Sequence, residues 1–278
     1  MKSPLLYILE VLFCSGLLLA FYRLLLVRKV SFRACRRYLV AAVFLSAVIP
    51  ALDIPLYPAR TVVYPLPLIA APPAENFVQT TGKLPAAGPV VPSGWRRILR
   101  PMAVGGYLTA VFLSLGFLAV RMVGIRRLRR RSRLTDCGAY TLAEHPQIAT
   151  PFSFLRTVFL GGGYEGRRRM IVLCHEAGHV RHRHSAERIA VELVRSLFWF
   201  NPFVWIAGRW LQEVHEWEAD RDVLDAGYDL TEYRTVIFHQ LFGHNPDIAC
   251  GLNHSFTKKR FAMMTQFRKR RFAVLRLG

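Results

Sequence analysis

The sequence predicts a membrane bundle of three α-helical spans joined to a mostly α, α+β domain with a small sheet. Three observations carry this expectation. Of 278 residues, 53% are hydrophobic, and the mean hydropathy is positive at +0.24. The formal charge of +20 sits largely in arginine clusters at the ends of apolar segments. After the last long apolar segment, short β-like runs give way to segments bounded by helix start and stop signals. So large a positive charge also suits nucleic acid. The arginines do not line one helix face with interleaved aromatics, however, so no direct nucleic-acid binding is expected.

Each element follows in order. Pro4 to Val27 is apolar apart from Glu10 and Arg23, enough to cross a hydrocarbon core of ~30 Å. No small-residue cleavage site follows it, so it reads as a retained span. Tyr38 to Leu52 is a shorter apolar run with Pro50 near its end, giving a second span over about 37–52. Pro101 to Val120 carries no charge, and a third span covers 101–123. Between spans two and three, nine prolines fall in residues 52–95, so 53–100 is expected to be an external loop without a fold of its own. The expected division is a membrane region over 1–124 and a second domain over 125–278.

Lysines and arginines set the orientation. The first loop holds Arg28, Lys29, Arg33, Arg36 and Arg37, and six arginines lie between Arg126 and Arg133. The N-terminal tail has only Lys2. The positive-inside rule then places the N-terminus outside and everything after span three in the cytoplasm, with Arg96, Arg97 and Arg100 pulling the other way.

In the second domain, residues 138–163 (GAYTLAEHPQIATPFSFLRTVFLGGG) read as two short strands ending in a glycine turn. Helices are expected over Glu165 to about His184, Ser185–Phe200 and Thr231–Phe242. Between the last two, Asn201 suits a helix N-cap, Pro202 the first helical position and Gly227 the stop after Ala226. The run SLFWFNPFVWIAG (196–208) has only thirteen residues, broken by Asn-Pro. It reads as core, or as a surface resting on the membrane, more readily than as a fourth span. The five cysteines form no CxxC and no even framework, which excludes a cysteine zinc site and fits a reducing compartment.

The chemistry lies in CHEAGHVRHRH, residues 174–184. Residues four apart share a helix face, so His175 and His179 can offer nitrogens to one ion. Glu176 stands beside the first ligand as a general base. This is the HExxH arrangement, for which zinc, one per chain, is the expected cofactor. A catalytic zinc takes a third protein ligand. HExxHxxGxxH is excluded, because positions 182 and 185 are histidine and serine. In LQEVHEWEADRDVL, Glu216 and Asp220 are one turn apart, as a gluzincin site requires. Glu216 would bind the metal, and Asp220 would take the free N–H of a ligand histidine. Glu213, His215 and Glu218 point to other faces. His182 and His184 are expected to be solvated, or to face lipid headgroups. A substrate strand could pair along Phe152, Ser153 and Phe154.

CHEAGH, FWFNPFVW and EVHEWEADRDVL together resemble the integral-membrane metallopeptidases of the BlaR/MecR-like beta-lactam sensor-transducer family (metallopeptidase family 56). FRACRRYLVAAVFLSAVIPALDIP, ATPFSFLRTVFL and KKRFAMMTQFRKRR are similar to other parts of that family. The resemblance implies a gluzincin-type zinc domain on the cytoplasmic side of a bacterial-type inner membrane. It implies His175, His179 and Glu216 as ligands, Glu176 as base and Asp220 behind them. It further implies cleavage of a cytoplasmic protein such as a transcriptional repressor, or of the chain itself, in signal transduction. Family members often continue into a fourth span and a sensor domain. This sequence ends at Gly278 in a basic segment, so a truncated member with a separate sensor subunit is the expectation. The rival expectation is a non-enzymatic membrane transducer with a metal-stabilised domain.

Overall fold

The computed structural model describes residues 3–27, 29–52, 93–242 and 257–267. Most of the expected proline loop therefore lies outside the described residues, as does Cys250. Two compact units emerge: residues 1–51 with 110–278, and residues 52–109. Of the second unit, the described part beyond Leu52 is the first stretch of one long helix.

Among the described residues, three helices are long and apolar enough to cross a membrane: Pro4–Leu26, Phe32–Ala51 and Pro101–Arg131. The first consists of α1 (Pro4–Phe21), capped by Ser3, and a π turn over Tyr22–Leu26. The second, α2 (Phe32–Val48), begins five residues before the expected span. Ser31 accepts a hydrogen bond from the Ala34 N–H and starts the helix among arginines that hydropathy excludes from a span. Helix α3 (Ser93–Arg131) carries Pro101 inside it and runs well past the expected span into its terminal arginines.

A four-stranded sheet follows, in the order β1-β2-β4-β3: β1 (Arg133–Asp136), β2 (Thr141–Glu144), β3 (Phe152–Phe154) and β4 (Thr157–Leu160). Only β2 and β4 run parallel. The expectation of two strands in 138–163 is thus corrected to three, with β1 before them. FSFLRTVFL reads as one run because its turn falls at Leu155, held at φ 51 without a glycine or asparagine to announce it.

Four helices then run in order: α4 (Gly166–Arg181), α5 (His184–Leu197), α6 (Pro202–Asp225) and α7 (Leu230–Phe242). A further helix, α8, covers 257–267. The Asn201–Pro202 start of α6 is as expected, with the Asn201 side chain accepting from the Phe203 N–H. Helix α4 ends earlier than expected. Arg183 adopts a left-handed conformation at φ 58, which turns the chain back so that His184 points inward.

Two apolar clusters share α6. In one, Leu19, Tyr22, Leu39 and Val43 of the first two spans pack against Val191, Val194, Val204, Leu211 and Val214. In the other, Val158 and Leu160 of the sheet pack with Ile171, Val172, Val223, Ile237 and Met264. One helix therefore touches the first two spans along its first half and α4 along its second.

Candidate metal centre

Helices α4 and α6 cross closely at Gly178. A Cβ there would lie 2.9 Å from Asp222 Oδ2 and 3.4 Å from Ala219 Cα. This approach brings His175 and His179 of α4 against Glu216 of α6. The two Nε2 atoms are 3.2 Å apart. Glu216 Oε2 lies 3.5 Å from Nε2 of His175, and its Oε1 lies 3.5 Å from Nε2 of His179. Ligand atoms from all three residues fall within 4.8 Å of one another.

The hydrogen bonds behind these atoms say which nitrogens carry protons. Asp220, fully buried, accepts from the Tyr233 hydroxyl at 2.6 Å, and that hydroxyl oxygen is 2.7 Å from His175 Nδ1. Tyr233 has one proton and gives it to Asp220, so His175 Nδ1 donates and its Nε2 is left with a lone pair. Asp220 Oδ1 also lies 3.5 Å from Nδ1 directly. On the other ligand, His179 Nδ1 is 2.7 Å from His184 Nδ1, and His184 Nε2 is 3.2 Å from Glu218 Oε2. The carboxylate can only accept, so His184 donates through Nε2, His179 donates to His184, and His179 Nε2 is also left with a lone pair.

Two imidazole lone pairs and a carboxylate therefore face one another across 3.2–3.5 Å. That arrangement repels itself unless a cation stands between them. For ligand distances of ~2.0–2.1 Å, the edge of a tetrahedron is ~3.4 Å, so the residues fit a zinc-sized ion.

Several charged groups converge on the centre. Burial would raise the Glu216 carboxyl, but Arg260 and the histidines hold it well below the usual range. Burial opposes protonation of His175, yet the Glu216 carboxylate outweighs it and raises the group. His179 is pushed down to about 3, mainly by burial. Arg260 of α8 reaches Glu216 Oε2 at 3.1 Å and grips Asp220 at 2.5 and 3.0 Å. Glu176 is buried, which raises its carboxyl, and Ser153 of β3 hydrogen-bonds it. The strand Phe152–Phe154 is the sheet edge, with Phe152 stacked on Phe159.

The structure brings His175, Glu176, His179, Glu216, Asp220 and Ser153 into one neighbourhood. It corrects the expectation for His182 and His184. His184 is 2% exposed and holds His179, while His182 Nε2 meets Asp222 at 2.8 Å. Sequence reasoning also missed Tyr233, Arg260 and Arg36. Arg36 of α2 is buried and pairs with Glu218 at 2.5 Å and Glu187 at 3.3 Å. Glu187 in turn meets His215, whose ring stacks on His184 with centroids 4.0 Å apart. None of these residues carries a sequence signal. Arg36 and Arg260 lie in basic runs, where solvated arginines look the same.

The family described as BlaR1 peptidase M56 matches this chain over residues 38–264, a stretch that includes α2 from Tyr38 onward, α3, the sheet, the whole candidate centre and Arg260. A search of curated proteins finds no match.

Proposed function

The chain belongs to the BlaR1 peptidase M56 family, a family of membrane metallopeptidases, and on that premise we propose that it is a zinc-dependent endopeptidase. The observation that carries this reading is the triangle of three lone-pair donors on α4 and α6, whose edges suit a tetrahedral ion. His175, His179 and Glu216 would hold the zinc, one per chain. When bound, it would polarise a scissile carbonyl and ease deprotonation of water.

The chain's own residues supply the rest. Glu176 follows the first ligand and is the base that takes a proton from water and passes it to the leaving amine. Ser153 of the edge strand stands beside it. Asp220 and Tyr233 fix the ring of His175, and His184 with Glu218 fixes that of His179, so both present Nε2. The edge strand Phe152–Phe154 would bind an extended peptide through main-chain hydrogen bonds, with Ser153 beside the base.

The substrate in this reading is a cytoplasmic regulatory protein such as a repressor, or the chain itself. The domain after residue 124 would be the peptidase, in the cytoplasm, with the N-terminus outside. Two observations support that arrangement. The arginine clusters flank the ends of the spans that lead to the centre, and the N-terminal turn of α2 touches the centre's outer hydrogen bonds. Through Arg36, a shift of α2 would reach Glu218, His184 and then the ligand His179, which supports a role in signal transduction. A purely non-enzymatic transducer would share that joint but have no use for a buried Glu176 beside the three lone-pair donors.

The test is Glu176→Gln in detergent-purified protein, assayed on an unstructured protein and on the chain itself. Retained zinc with lost hydrolysis is expected. Undiminished hydrolysis would overturn the assignment of the base.

A further inference from the structure

The turn between α5 and α6 sits deep among the spans. Asn201 is fully buried, and its side-chain N–H donates to Ser15 Oγ at 2.9 Å. Next to it, the Phe203 ring lies against Gly16, where an added Cβ would come within 3.1 Å. Phe203, Val204 and Ala207 line a small gap with Ser15, Leu19, Ala42, Val43 and Ser46 of the first two spans. Ser15 is the middle residue of the Pro4–Leu26 span. At ~1.5 Å per residue it is ~16 Å from either end, against a hydrocarbon half-thickness of ~15 Å. With the Pro4–Leu26 span centred in the hydrocarbon, the α5–α6 turn falls level with the bilayer midplane.

The surface around that turn is apolar and outward. Leu193, Leu197, Trp199 and Trp205 are each 42–45% exposed. Trp205 Nε1 donates to the Trp199 carbonyl at 3.0 Å, so this indole needs no water. Its ring carries Arg195 4.3 Å above the centroid, and Arg195 is also paired with Glu192 one turn nearer the membrane surface. The charge that α5 takes inward is therefore partnered on both sides, as a charge in hydrocarbon must be.

We propose that α5 and α6 form a re-entrant hairpin that enters the bilayer beside the first two spans and turns at its midplane. Leu193, Leu197, Trp199 and Trp205 lie against lipid acyl chains. The α5–α6 hairpin leaves by the side it entered, so the thirteen-residue apolar run is neither a span nor a surface patch. A consequence rests on the zinc reading above. Helix α6 rises from Asn201 to Glu216 over ~22 Å at most, so Glu216 lies no more than ~7 Å beyond the hydrocarbon edge. The peptide bond cut there would lie in the headgroup layer, in a segment held at the membrane surface.

The test uses the full chain in phosphatidylcholine vesicles, comparing wild type with the double variant Trp199→Phe/Trp205→Phe. Emission lost in the variant is the signal of these two rings. Acyl chains brominated at carbons 11 and 12 are expected to quench that signal several-fold, and aqueous iodide to leave it unchanged. Quenching by iodide would overturn the proposal, as would a signal that neither quencher touches, which would mean a second copy covers this face. Trp199→Leu alone gives the same comparison should the double variant not fold. Zinc content plays no part in the readout, so a failure here is separable from a failure of the metal centre.

Discussion

Arg36→Met tests the joint between α2 and the centre. The Arg36 and Glu218 side chains are only 8% and 9% exposed, and Glu187 is 21% exposed. Removing the guanidinium leaves two carboxylates facing one site with no cation between them. Breaking a buried ion pair from one side costs ~3–5 kcal/mol. Glu218 keeps its bond from His184 and Glu187 keeps His215, so the lower end, ~3 kcal/mol, is expected. Arg36→Met/Glu218→Gln removes one of the stranded charges. It is expected to be less destabilised than the two single costs predict, by ~2 kcal/mol of coupling. Urea unfolding in mild detergent, followed by helical circular dichroism, measures both. A single variant within ~0.5 kcal/mol of wild type would mean that the pair behaves as a surface contact and the joint is not one. Strict additivity of the two substitutions would refute the coupling.

Three further outcomes follow from the same geometry. Tyr233→Phe removes the hydroxyl between His175 and Asp220, and zinc affinity, read by competition with a chromophoric chelator, is expected to fall ~10–100-fold. Gly161→Ala places a Cβ 2.1 Å from the Ile148 carbonyl oxygen, a backbone atom that cannot rotate away, and a destabilisation of ~2 kcal/mol or more is expected as a lowered thermal midpoint. Treatment with a zinc chelator is expected to abolish hydrolysis, and added zinc to restore it.

The sequence carried the centre's innermost residues because they obey local rules. His175 and His179 are one helical turn apart, as are Glu216 and Asp220, and helix spacing alone sets those faces. Asn201-Pro202 marked the start of α6 for the same reason. What escaped was decided by tertiary contact. Tyr233 and Arg260 come from helices 13 and 40 residues beyond Asp220, with no periodicity tying them to it. His184 looked like part of a solvated basic tail until the left-handed Arg183 turned it inward. Leu155 took a left-handed turn without a turn residue, so two strands looked like one. Arg36 reads as a loop arginine because hydropathy places a span's start at its first apolar residue, whereas Ser31 starts the helix earlier.

The most direct measurement is the zinc content of detergent-purified chain, wild type beside Glu216→Ala. About one zinc per wild-type chain, lost or much weakened in the variant, is the predicted result. A folded wild-type chain with no zinc, or a Glu216→Ala variant that binds it as tightly, would contradict a centre built from α4 and α6.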